Sequence, residues 1–447
     1  MKVLSIIMAA FFMIPTLSFV STAAPAETTV EVDYTITNPY DDVNWITWDQ
    51  YKADLHCHTY VSDGRNDFNE MIELHYGTDF DFLAITDHGV VDRSWTDINT
   101  VPLMLLVSKF KRKDLFLKPT GLTPERYEQI TTGEDRGGRG MLRIPYGSEQ
   151  NPTSVNNAHV NSWFADFGNG LFGGTSDYET VIKGVHEAGG LSVINHPGEY
   201  TGAKKESDPE KAYNSDYSYK INKFTNILMK YDSCIGLDIN SKKDGRTKND
   251  RKLWDLLLQN CIPNGRNVYA IATSDAHAAD VVNCGWTIHC LPEHSVDELR
   301  NSLETGTFFA ASHHIKNTKE LGLIGEAIGE EFDTEWEAQP GVPCPKVNTI
   351  LVNNIQDRIT IVASNARVIR WIADGEQIAT GASIKLNDYS ELIGSYVRAE
   401  IFGDGGVVYT QAFALDYEDA PAEERSFFFD FGNLIGFLRK LIFKSHF

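Results

Sequence analysis

Short apolar runs alternate with helically spaced apolar residues from residue 51 to about 315. A strand over 52–56 opens the series. Phe68, Met71, Ile72 and His75 then fall at i, i+3, i+4 and i+7, one face of a helix, and Gly77 stops it. The runs FDFLAIT (80–86), LSVIN (191–195), CIGLDIN (234–240) and VYAIAT (268–273) read as buried strands. Ser176 with Glu179, and Ser295 with Glu298, have capping-box spacing; they open helices that end at Gly189-Gly190 and at Gly306. Leu253, Leu256 and Leu257 mark a further helix. Strand and helix in alternation predict an α/β fold with a mostly parallel sheet, and the number of repeats favours a barrel over an open sheet.

The pattern changes at 347–417. Strand-like runs over 350–352, 358–363, 368–373, 384–386, 396–402 and 408–415 are divided by turn signals such as Asp374-Gly375 and Asp404-Gly405-Gly406. This predicts a small all-β sandwich domain, joined to a catalytic region over 51–333 by a linker at 334–346 that holds Pro340, Gly341, Pro343 and Pro345. The tail, 418–447, begins acidic. It then puts Phe431, Leu434, Ile435, Leu438, Leu441 and Ile442 on one helical face, with Arg439, Lys440 and Lys444 elsewhere. A C-terminal amphipathic helix of this kind suits a membrane surface, and equally suits docking on its own sandwich. At the other end, Met1-Lys2, an apolar stretch and small residues up to Ala26 read as a secretory signal peptide over 1–26, with an extension over 27–50. That address points to a secreted or cell-envelope protein.

Composition narrows the function. A net charge of −22 repels a phosphate backbone and excludes a nucleic-acid-coating role, leaving a local basic pocket open. Six cysteines without a CxxC pair are no disulfide scaffold; Cys284 and Cys290 either pair in an oxidising compartment or stay as buried thiols.

The chemistry gathers at strand ends. Strand alternation puts His56 and His58 on one face and Cys57 on the other. Asp63 lies in the following turn. Asp87-His88 ends the strand over 80–86, and Glu149 follows the run 141–146. His159 sits in NNAHV, His196 ends the strand over 191–195, and Asp275 and His277 end that over 268–273. Strand C-termini of α/β barrels share one rim, so these groups converge. As mere core, so many unpaired imidazoles would cost kcal/mol each. His75, His186, His289, His294 and His446 read as ordinary structural or surface residues, and His313 and His314 could approach the rim but are not counted among its ligands.

The ordered segments DLHCHTYVSDG, GTDFDFLAITDHG, YGSEQ, NNAHV, INHPG and ATSDAH over 51–278 resemble the polymerase-and-histidinol-phosphatase (PHP) family. The resemblance implies a distorted (β/α)7 barrel that holds three divalent metal ions. The first would lie on His56, His58, Glu149 and Asp275. The second would share Glu149 and add His159 and His196. The third would lie on Asp63, His88 and His277. Zn, Mn and Fe all suit such a set, and Asp63, where some relatives carry His, favours harder ions. The implied reaction is hydrolysis of a small phosphomonoester or phosphodiester by metal-activated water, with Asp87, His88 and Glu149 as catalytic groups, Asp87 acting by orienting its neighbour or a metal-bound water. Arg65, Lys204 and Lys205 are candidates for holding the substrate phosphate. The stretch 91–140, with Lys109, Arg112, Lys113, Arg126, Arg136 and Arg139, would be an insertion that caps the site. Two other readings stand beside this one: an amidohydrolase-like hydrolase, and a non-enzymatic surface protein whose metals only stabilise the barrel.

Overall fold

A computed structural model describes residues 31–112, 118–150, 158–171, 177–214, 218–418 and 420. The expected signal peptide (1–26), Lys113, the cap Ser176 and the amphipathic helix over 427–447 lie outside the described residues. Among the described residues, no helix is long and apolar enough to cross a membrane.

The local signals place most elements. The helix Phe68–Tyr76 starts at Asp67, which forms a reciprocal capping box with Glu70, and stops at Gly77. The helix Val296–Thr305 starts at Ser295, whose side chain accepts from the Glu298 N–H, and ends at Gly306 with φ 81°. The strands Phe82–Ile85, Leu191–Ile194, Cys234–Asn240 and Tyr269–Ala272 fall where apolar runs stood, and nearly every residue in them is buried.

The result is a mixed α/β protein with several sheets. Asp49–Cys57, Phe82–Ile85 and Leu142–Arg143 pair in parallel; so do Leu191–Ile194, Cys234–Asn240 and Tyr269–Ala272. An antiparallel pair, Ser148–Gln150 with Val160–Trp163, leads into the second set. Isolated bridges link the two sets where the chemistry sits: Cys57 to Ala276, and His88 to Glu149. The continuous parallel ring expected from the alternation is thus replaced by two sheets that touch at single bridges.

The C-terminal strands continue this architecture. Gly406–Tyr409 pairs with Phe308–Ser312, which pairs with Gly285–Leu291, which pairs with Asp49–Cys57. Tyr396–Gly403 and Val368–Ala373 extend the same sheet. Lys346–Asn353, Arg358–Ser364 and Ser383–Lys385 form a separate three-stranded sheet. Within the expected linker, Trp336–Glu337 pairs with His314–Ile315. The single strand expected over 408–415 divides at Gln411. Its side-chain amide accepts from the Ala270 N–H at 2.8 Å and donates to the Ala270 carbonyl at 2.9 Å, completing a strand edge as a peptide would. All six cysteines are free thiols, Cys284 and Cys290 included.

One glycine marks how tightly the second parallel set is built. A Cβ at Gly236 would stand 1.7 Å from the Tyr269 carbonyl oxygen, its strand partner. Gly236→Ala is expected to lower stability by about 1–3 kcal/mol or more, since overpacking must move backbone. Urea unfolding measures it; an unchanged midpoint would refute the close approach.

Candidate metal centre

Glu149 is the hub. It is 1% exposed, and its carboxylate lies 2.7 Å from His159 Nδ1, 2.9 Å from His88 Nδ1 and 3.2 Å from His58 Nε2. His56 and His196 each come within 3.4 Å of it through Nε2. The backbone fixes the hub, because the Gly89 N–H donates to the Glu149 carbonyl and the Glu149 N–H to the Thr86 carbonyl. Asn195 adds a side-chain hydrogen bond to the carboxylate at 3.0 Å.

Around this hub the nine His, Asp and Glu side chains read from the sequence come together. They form overlapping groups: His58, Asp63, His88 and His277; His56, His58 and Asp275; His56, Glu149 and His196; His88, Glu149 and His159. His56 Nε2 and His58 Nε2 face each other at 3.0 Å, and Asp275 Oδ1 lies 3.5 and 3.3 Å from them. Four ligands about 2.0–2.2 Å from one ion have such mutual spacings. The other ring nitrogens of these two histidines, both Nδ1 atoms, are buried without a hydrogen-bond partner. Two imidazole Nε2 atoms and two carboxylates that converge at these spacings fit a divalent cation. His58 turns Nε2 to Glu149 and Nδ1 to Asp63 at 3.7 Å, and His88 lies between Asp63 and Glu149, so both stand between neighbouring groups.

The electrostatics match. Burial would raise the Glu149 carboxyl, but His159, His88 and His56 hold it well below the usual carboxylate range. Asp63 is held down against burial by His88 and His277, and Asp275 by Lys242 and His56. His277, although buried, is pushed up to about 10 by its bonds to Asp275 and Asp63. Burial takes His196 down to about 4. Cations held by these groups would compete with protons for the imidazole nitrogens.

The rim is strained. His196 (φ 26°) and Asp275 (φ 42°) leave their strands with positive φ, as do Lys242, Lys243 and Asp244 after Cys234–Asn240. Strain of this kind costs about 1–3 kcal/mol per residue and collects at functional sites.

Several residues play parts the sequence did not suggest. Asp54 is fully buried; it accepts from the N–H groups of His56 and Ser274 and lies 3.0 Å from His75 Nε2. One carboxylate therefore pins the strand ends that carry His56 and Asp275, and His75, read as an ordinary helix-face residue, anchors it. Lys242 reaches Asp275 at 3.1 Å. Arg246 and Tyr200 line the cavity beside the centre, with Tyr200 stacked on His159 at 4.3 Å. The signal for the two cations was Lys242-Lys243-Asp244-Gly245-Arg246 just after a strand end.

Asp87 accepts from the Thr59 N–H, the Thr59 hydroxyl and the Ser62 hydroxyl, so its contacts clamp the loop leading to Asp63. Other expectations are corrected. Arg65 is exposed and does not line the cavity; its N–H donates to the His277 carbonyl. Lys204 is bonded to Glu199 at 3.0 Å and Lys205 is exposed. Of the bases expected to cap the site, Arg136 and Arg139 bond instead around Phe80 and Asp81, at the entry to the strand Phe82–Ile85, and Arg126 pairs with Glu73 and Asp135. His313 packs on Trp286 and His314 faces Glu337; neither joins the nine.

Fold and site together define a mixed α/β protein whose strand ends gather a His/Asp/Glu centre suited to divalent cations. No protein-family model and no curated protein matches the sequence. Solved structures similar to it include PHP-like metal-dependent phosphoesterases. A two-domain protein from Bacteroides vulgatus containing a predicted PHP-like metal-dependent phosphoesterase is 14% identical, covering 85% of this chain and 90% of its own, with a TM-score of 0.41. An amidohydrolase from Chromobacterium violaceum with bound sulfate is 15% identical over 51% of this chain and 87% of its own, TM-score 0.30. The lesion-specific endonuclease EndoQ from Pyrococcus furiosus is 11% identical over 57% of this chain and 56% of its own, TM-score 0.31.

Proposed function

We propose that this chain is an exported PHP-type phosphoesterase that uses three divalent ions to hydrolyse a small phosphate ester. One observation carries the reading: five histidines converge within 3.4 Å of the buried Glu149, with Asp63, Asp275 and His277 completing overlapping donor groups beside an open cavity. Cations held there would supply Lewis acidity, polarising the phosphoryl group and making water acidic enough to attack at neutral pH. The chain's own residues set the stage. Glu149 and Asp275 supply the negative charge that holds the ions, and Asp54 and Asp87 fix the strand ends and the Asp63 loop. Tyr200 walls the cavity on the His159 side. Export rests on the leader over 1–26, and the amphipathic tail over 427–447 would rest on a membrane surface.

The test is direct. Purified mature protein is expected to carry divalent metal and to release phosphate from phosphate esters, and His88→Ala or chelation should remove the activity. Turnover that survives both changes, or turnover of amides alone, would overturn the proposal.

A further inference from the structure

The helix Pro102–Arg112 has two unlike faces. Met104 is 1% exposed and joins the hydrophobic core, and the Ser108 hydroxyl donates to the Tyr60 carbonyl at 2.9 Å. That contact seats the helix on the loop that leads to Asp63. The other face holds Leu103, Leu106 and Phe110 at i, i+3 and i+7, and these side chains are 51%, 47% and 77% exposed. Single exposed apolar residues are ordinary, whereas three on one helical stripe mark an interaction surface.

Charge identifies the occupant. The helix carries Lys109, Lys111 and Arg112 and neither Asp nor Glu, in a chain of net charge −22, and the exposed Lys118 follows it. A second copy packed face to face would bring these cations against their own counterparts. The chain's tail, with Arg439, Lys440 and Lys444, has cations of the same sign on its apolar helix. An anionic lipid surface offers an apolar layer to the stripe and negative head groups to the cations.

We infer that the helix Pro102–Arg112 is an interfacial anchor that inserts Leu103, Leu106 and Phe110 into an anionic phospholipid surface. The contact is separate from the tail over 427–447 and does not depend on the phosphoesterase reading. Because the helix rests on the loop of Asp63, docking holds that loop about one helix diameter, roughly 10 Å, from the lipid.

The experiment floats the full mature chain with vesicles of phosphatidylglycerol and phosphatidylcholine, and with vesicles of phosphatidylcholine alone. Unaltered protein is expected to float with the anionic vesicles, to float less with the neutral ones, and to be released by salt. Leu106→Ser/Phe110→Ser should partition at least about 10-fold more weakly, because apolar area that enters the lipid is lost. Both side chains are exposed, so the urea midpoint of the double variant should stay where it is. The tail would add its own lipid contact, so the helix is also followed directly. Phe110→Cys, labelled with an environment-sensitive fluorophore, should shift to the blue with anionic vesicles; five of the six native thiols are buried. An unshifted fluorophore, a double variant that floats like the unaltered protein, or equal flotation with neutral vesicles overturns the inference.

Discussion

Glu149→Gln is expected to strip the protein of most of its divalent metal and to abolish phosphate release. The change keeps the shape of the side chain and removes its charge. It also puts an NH2 donor among five ring nitrogens that now face carboxylate oxygens at 2.7–3.4 Å. The neighbouring imidazoles lose the carboxylate that several share, so more than one metal group is damaged at once. Loss of an outer hydrogen-bond partner typically costs about 10–100-fold in metal affinity or activity. Loss of the shared ligand should exceed that, and Asp54→Asn, which disturbs only the anchor behind His56 and Ser274, should fall within it. Metal content by elemental analysis and initial rates of phosphate release measure both. A Glu149→Gln protein that holds full metal and turns over normally would remove Glu149 from the centre.

That centre was largely legible in the sequence because its parts are local. Period-two alternation paired His56 with His58, and Asp or His at the end of an apolar run marked His88, His196, Asp275 and His277 without knowledge of strand partners. What was not legible depends on contacts between distant segments. Asp54 looked like one more strand residue until His75, on the next helix, lay 3.0 Å away. Asp87 follows the strand Phe82–Ile85, and its partners, the Thr59 and Ser62 hydroxyls, come from a distant loop that the sequence does not point to. The C-terminal strands showed their period but not their partners, so their pairing through Phe308–Ser312 into the sheet of Asp49–Cys57 could not be read. Arg246 and Tyr200 carry no periodic signal; only folding brings them to the cavity wall.

The same dependence on distant contacts makes Arg251 the second residue whose loss should be felt most. Arg251 is 1% exposed. Its Nη atoms donate to both carboxylate oxygens of Asp244 and to the Ile239 carbonyl, and its Nε donates to Glu320 on the helix Thr318–Ile328. Asp244 is fully buried and sits at φ 54°, so the arginine neutralises a charge and also holds a strained turn. Arg251→Ala leaves two buried carboxylates without their cation. Breaking a buried pair in this way costs about 3–5 kcal/mol, whereas a surface pair costs under about 1. Urea unfolding should show that loss, and adding Glu320→Ala should recover part of it, by about 0.5–3 kcal/mol in a double-mutant cycle. The turn that Asp244 fixes also carries Lys242 and Arg246, which lie 3.1 and 3.6 Å from Asp275, so protein that still folds should hold its divalent metal differently. A near-neutral Arg251→Ala would mean that the strained turn stands without its ion pair and that the cavity wall owes its shape to something else.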